Sequence, residues 1–264
     1  MVGLYWIKTN HPVLIERDDA YNCYRAAYLV SRYGDLDSLR YKTYINVYPH
    51  NLTLVSYFMI FTKIFGDAAP TYIRLANLVY VLFGYIGLYG SVDYLYKNEK
   101  INSIMICLMF MSMQCVFYSF FVYGNALSYS TGILSIYFFI KYYDNNKLFN
   151  LIIAMLFIVI SSAIKNNSLI ILVGEMIFIF VKNVNRFDYK SVIVVVLSFF
   201  LLNVLTSGIV NYWSNKADTN YDNRLPRICW IAYDLNYEEY HQGRFYDGLE
   251  LYHSANDFSV EYTP

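Results

Sequence analysis

Seven apolar blocks fill most of the chain between residues 52 and 210, at 52–65, 72–95, 101–122, 126–140, 148–164, 168–181 and 191–210. Hydrophobic residues run continuously within each block rather than alternating, which favours helices over the strands of a membrane barrel. A helix crossing the hydrocarbon needs about 20 residues, with a lower bound of about 17. Blocks 72–95, 101–122 and 191–210 meet that length easily and 148–164 adequately, while 126–140 and 168–181 can be extended by polar neighbours. Block 52–65 is the shortest. It lies between Tyr48-Pro49-His50 and Gly66-Asp67, and reads as a short span, a re-entrant helix or an interfacial one. The expected fold is all-α: a polytopic membrane helix bundle of about six to seven transmembrane helices with external juxtamembrane loops.

Composition agrees with a bilayer environment. The chain is 57% hydrophobic and 15% charged, with a mean hydropathy of +0.32, where soluble domains are nearer a quarter charged. Its 30 tyrosines suit an interface at which a ring is buried and a hydroxyl stays wet. A net charge of +0 gives no case for nucleic acid. The four cysteines form no CxxC. Cys107 and Cys115 sit in an apolar block as packing residues, whereas Cys23 and Cys229 lie in the two polar regions and could pair only on an oxidising side.

The chain divides into residues 1–50, the end of a first helix plus an external loop; 51–210, the helix bundle; and 211–264, an external polar region. No internal repeat or Pro/Gly-rich linker is visible. Residues 1–7 (MVGLYWI) are too short to span and read as the last turns of a helix, and the sequence stops at Pro264 inside a polar region. The expectation is therefore a fragment of a longer protein.

Loop charges set the orientation. Lys97 and Lys100, then Lys141 and Lys147, then Lys182, Arg186 and Lys190 occupy alternate loops. The turns between them, at 123–125 and 165–167, hold no basic residue and one. Positive charge favours the cytoplasm, so these two turns and residues 211–264 fall outside. If block 52–65 does not cross, residues 8–50 are also outside, and both polar regions share one face. If it crosses, they are separated. The first arrangement is favoured.

Asp18 and Asp19 open the stretch 20–31, which reads as a short amphipathic helix. Carboxylates are favoured at a helix start by its free N–H groups, and for Asp19 capping is the expected role. For Asp18 a general base is the sharper alternative, because a hydroxyl nucleophile needs its proton accepted. Pro49 suits a helix start, and the neighbouring His50 could bind phosphate or assist proton transfer. Lys165, in an external turn, and Arg74, soon after Pro70, are costly cations unless partnered, and each is a candidate for the phosphate of a lipid-linked donor. Asn125 adds a polar group to the turn at 123–125. The C-terminal mixture of Arg224, Trp230, Tyr237, Glu238, Tyr240 and Asp247 suits carbohydrate contact and a bilayer interface equally. Charges inside the helical blocks are few: Lys63, Arg74, Asp93 and Glu175. No histidine has metal-ligand spacing, so no metal ligands are assigned. No cofactor is indicated with certainty; the acids could take a divalent metal through oxygen, without diagnostic spacing.

An apolar helix end, then DDAYNCYRAA, YGDLDSL and VYPHNLTLVSYFMIFTKIFG, then a helix opening with an arginine, resembles the membrane glycosyltransferases of the GT-C fold. The likeness is to bacterial members of the protein mannosyltransferase and aminoarabinose transferase group (family 39-like), in their N-terminal portion. Asp18 stands where those proteins have an Asp about eight residues before an Ala, here Ala26. Tyr48-Pro49 matches their step into a short helix, and Phe65-Gly66 its end. VYGNALS and IKNNSLI resemble later external turns, and RICWIAYDLNYEEYHQGRFYDG the external region after the last span. Asn125 departs from the pattern, since many relatives carry an acid there. The resemblance implies a multi-pass cell-membrane enzyme, a transferase that moves sugar from a polyprenyl-phosphate-linked donor to a saccharide, lipid or protein acceptor on the external face. Transfer would be inverting, with Asp18 as base, Lys165 and Arg74 near the donor phosphate, and Asp19, His50 and Asn125 in support. The alternatives are a transporter, flippase or polymerase of lipid-linked saccharides, or an inactive fragment.

Overall fold

The computed structural model describes residues 18–40, 43–183 and 188–221, the side chains of 18, 113–116 and 183 excepted. Among these residues every regular element is helical. In chain order they are α1 (Asp18–Tyr33), α2 (Tyr44–Val47), α3 (Leu52–Phe65), α4 (Ala69–Tyr96), α5 (Glu99–Met111), α6 (Met113–Phe120), α7 (Asn125–Asn145), α8 (Leu148–Ile164), α9 (Leu169–Asn183) and α10 (Tyr189–Ala217). The pairing of Cys23 with Cys229, the helix end at 1–7 and the aromatic-rich region from 222 onward lie outside the described residues.

Among the described residues, two helical runs are long and apolar enough to cross a membrane: Pro49–Tyr96, with a mean hydropathy of 1.5, and Tyr189–Ala217, with 2.5. The first is not one rod. Gly66 has φ +55°, a left-handed backbone that closes α3 before α4 begins. Its spanning-length piece is therefore α4, with 28 residues. Pro70 stands in the first turn of α4, where its missing N–H costs nothing. Large apolar side chains point outward on both runs, including Leu82 and Ile86 on α4 and Val196 and Phe200 on α10. Such surface needs an apolar environment.

The chain forms two compact units, residues 1–20 with 64–207, and residues 21–63 with 208–264. In the first unit, α7 and α8 make an antiparallel hairpin. Asn146 turns it with φ +56°, its N–H closing on Tyr142 O at 2.8 Å. Tyr142, Leu151, Ala154, Ile158 and Leu172 bury against one another at the centre. On the other side of α7 lies α4, and the approach is close: a Cβ on Gly84 would sit 3.3 Å from Ser130 Cα, and one on Gly90 would sit 2.8 Å from Tyr137 Cε2. Small residues let helix backbones meet in this way. The expected single block 101–122 is instead two helices, α5 and α6. Ser112 between them has ψ +75°, and the Tyr85 hydroxyl donates to its carbonyl at 3.2 Å. A break whose freed backbone group is satisfied by a side chain is tolerated in an apolar setting. Cys107, expected to pack inside, is exposed on α5.

In the second unit the end of α10 is stitched to the segment after α1. Trp213 Nε1 donates to Ser56 Oγ at 2.9 Å, Arg40 Nε to Ala217 O at 3.1 Å, and Asn46 Nδ2 to Asn220 O at 3.3 Å. The Tyr221 hydroxyl donates to Leu39 O at 3.0 Å, and burial pushes this phenol up to about 12. Ser31 Oγ donates to Thr62 Oγ1 at 2.6 Å, which ties α1 to α3 over a core that includes Cys23, Leu39, Leu54 and Phe58.

Candidate functional site

The residues that converge in the first unit are Asp19, Tyr123 and Lys165. Asp19 belongs to α1. There its carboxylate Oδ2 accepts a hydrogen bond from the Tyr123 hydroxyl at 3.4 Å. On the face of the same ring sits the Lys165 ammonium, 3.3 Å from the centroid. One tyrosine thus holds a carboxylate at its edge and a cation on its face. A cation on an aromatic face is stabilised by about 0.5–1 kcal/mol at an exposed position. Part of the cost of keeping a lysine between two apolar helices is offset in this way.

Both turns that carry these groups are fixed from below. The carbonyl of Phe121 accepts from Asn77 Nδ2 at 2.9 Å and from the Tyr123 N–H at 2.8 Å, which locks the chain just ahead of α7. Lys165 ends α8, and its N–H reaches Ser161 O at 2.9 Å. Three hydroxyls then join the Lys165 turn to α7. Ser128 Oγ is 3.1 Å from Ser161 Oγ and 2.8 Å from Ser168 Oγ, and Ser161 Oγ is 2.8 Å from Ser168 Oγ. Ser128 and Ser161 are buried, and each hydroxyl also reaches the other's carbonyl, Ser128 Oγ to Ser161 O at 3.2 Å and Ser161 Oγ to Ser128 O at 2.6 Å. This cluster was not singled out in the sequence, because its members lie on three separate segments and each resembles any other helix serine.

The remaining sequence candidates are distributed as follows. Asp18 is the first residue of α1, next to Asp19. Arg74 is buried in α4, one helical turn before Asn77 and thus on the same side of that helix. Asn125 is the first residue of α7, half-buried, two residues after Tyr123. His50 belongs to the second unit, as the exposed residue of the turn Pro49–Asn51, with its ring edge-on to Tyr48 at 6.2 Å between centroids. Among the described residues no group of three or more His, Cys, Asp and Glu is close enough to hold a metal ion.

The arrangement of a carboxylate and an ammonium on one tyrosine can do two things. It can accept a proton at the carboxylate of Asp19, and it can present positive charge to a phosphate. No protein-family model, curated protein or solved structure matches the chain.

Proposed function

We propose that the chain is a multi-pass membrane glycosyltransferase that moves sugar from a polyprenyl-phosphate donor to an acceptor on the external face. The supporting observation is the convergence of the acid-bearing start of α1 with Lys165 on Tyr123. In this reading the helices supply six to seven spans, and the loop charges put residues 123–125 and 165–167 outside. The acceptor hydroxyl attacks the anomeric carbon and passes its proton to Asp18. The bond from that carbon to the polyprenyl phosphate oxygen breaks, the phosphate leaves with the electron pair, and configuration inverts. Lys165, with Arg74, offsets the charge growing on the leaving phosphate. Asp19 and Tyr123 orient this end of the site, with Asn125 as a supporting polar group.

The test is Asp18→Asn in the protein reconstituted with a polyprenyl-phosphate-linked sugar. Transfer is expected to vanish while insertion is unchanged; retained transfer removes Asp18 from the role of base. Single cysteines at Asp35 and Tyr240, with the native cysteines replaced, test the topology. Labelling from opposite sides would sink the shared-face arrangement. Transport of a lipid-linked saccharide is the second reading, favoured by one observation: the carboxyl of Glu175, buried within α9. Movement of the carrier across vesicles without sugar transfer would select it.

A further inference from the structure

Away from Tyr123 and Lys165, the first unit holds a cavity of about 820 Å³ between α4, α7 and α9. Its walls are apolar and aromatic, with Ile136, Phe139, Tyr143 and Phe178 among them. That volume lies in the range of small-molecule sites, about 300–1,000 Å³, which pair apolar walls with a few placed polar groups. Here the placed group is Glu175, which is 4% exposed and lines the cavity. Ser135 Oγ lies 2.7 Å from Glu175 Oε1 and 2.8 Å from Ala154 O, so one hydroxyl proton serves two acceptors. Whichever of them receives it, Oε2 of Glu175 has no hydrogen-bond partner among the described residues. A buried acceptor in that state calls for a donor from a ligand.

The mouth carries polar groups of its own. Tyr94 donates to Asp144 Oδ2 at 2.7 Å, and Lys97 lines the same rim. The polar atom left without a partner is on the floor, at Glu175 Oε2. Glu175 is eight residues before the end of α9, the end that meets the mouth where Lys182 Nζ donates to Tyr143 O, and so lies about 12 Å in at 1.5 Å per residue. A lipid headgroup would have to leave its interface to reach it, whereas a small free amphiphile would not.

We infer that this cavity is a binding site for a small amphiphilic amine, its ammonium donating to Glu175 and its apolar body lying among Phe139, Tyr143 and Phe178. The site is separate from the proposed transfer chemistry and does not depend on it. An ammonium offers three donors and the charge opposite to the carboxylate, and the aromatic walls favour a cation further.

The probe is 4-phenylbutylamine, with 4-phenylbutanol as its neutral counterpart, titrated calorimetrically into the purified chain in maltoside micelles against empty micelles. Saturable one-to-one binding of the amine is expected, weaker by about tenfold or more for the alcohol and for Glu175→Gln. Gly174 supplies a second variant, because it lines the cavity and a Cβ there meets nothing within 4 Å. Gly174→Leu places bulk beside Glu175 from a Cβ position that is open, and should weaken binding by about tenfold or more even if Glu175→Gln fails to fold. Equal affinity for amine and alcohol, or binding that Gly174→Leu leaves unweakened, overturns the proposal. So does displacement of the amine by phosphatidylethanolamine but not phosphatidylcholine in nanodiscs, which would make the occupant a headgroup.

Discussion

The starting end of α7 and the stretch from its middle toward the other end treat polar groups in opposite ways. At its start, Lys165 and Asp19 are held at the face and edge of Tyr123, and Lys165 is only half-buried. Further along, Glu175 is enclosed beside Ser135 and keeps an oxygen with no hydrogen-bond partner among the described residues. A charge at a helix end is cheap, because water, aromatic faces and backbone groups are within reach. A charge in the middle of a helix has none of these and persists only with a partner or a use. The first arrangement is therefore compatible with structure alone and needs a chemical test. The second is a cost that a packing role does not explain.

The sharpest way to separate the two regions is Lys165→Ala. With a phosphate-facing cation removed, transfer should fall by about 100-fold, as for the loss of a single preorganised charge-stabilising group. Binding of 4-phenylbutylamine near Glu175 should be unchanged. If both readouts fall together, the two regions are one cooperative site. Gly84→Val is the next step down, because it strikes the shared scaffold. Its Cβ would meet Ser130 Cα at 3.3 Å, and branching forces α4 away from α7. A stability loss of about 2 kcal/mol is expected, read as a lower unfolding midpoint in detergent, with both transfer and amine binding weakened. An unchanged midpoint would mean that the two helices do not pack as described.

How far the sequence shows these regions depends on whether the deciding contact is local. Helix α8 matches its apolar block residue for residue, because nothing but hydropathy and a following lysine defines it. Pro49 and Pro70 stand at helical starts for the local reason that proline lacks an N–H. The break at Ser112 was hidden inside one apolar block, since the Tyr85 hydroxyl that stabilises it comes from another helix. Asp19 was expected to cap α1, and the bond that occupies it comes from Tyr123, far along the chain. Lys165 was legible as a cation needing a partner, but the identity of that partner was not. Glu175 was legible as a charge within a helix, while the cavity beside it depends on side chains from three helices.

Glu175→Met tests the claim that the enclosed carboxyl is a cost. It removes the unsatisfied oxygen and leaves Ser135 its bond to Ala154 O. The variant should be more stable by about 1 kcal/mol, seen as a higher unfolding midpoint, and should no longer bind the amine. A lower midpoint would show that the carboxyl has a structural partner and would bring the two regions of α7 closer in character.

The smallest expected effect comes from Tyr123→Phe. The substitution keeps the ring under Lys165 and deletes only the hydroxyl that donates to Asp19. That bond is long, 3.4 Å, and exposed, so it belongs at the weak end of the range for hydrogen bonds to charged groups. Transfer should drop by about threefold, with the unfolding midpoint unmoved. A much larger drop would mean that the hydroxyl does more than orient Asp19, for example by handling the acceptor proton itself. Tyr123→Leu then provides the comparison, because it removes the aromatic face as well. If Leu and Phe behave alike, the cation on the ring contributes nothing. If Leu approaches the loss seen for Lys165→Ala, the aromatic face is what holds the ammonium where the proposed donor phosphate would meet it.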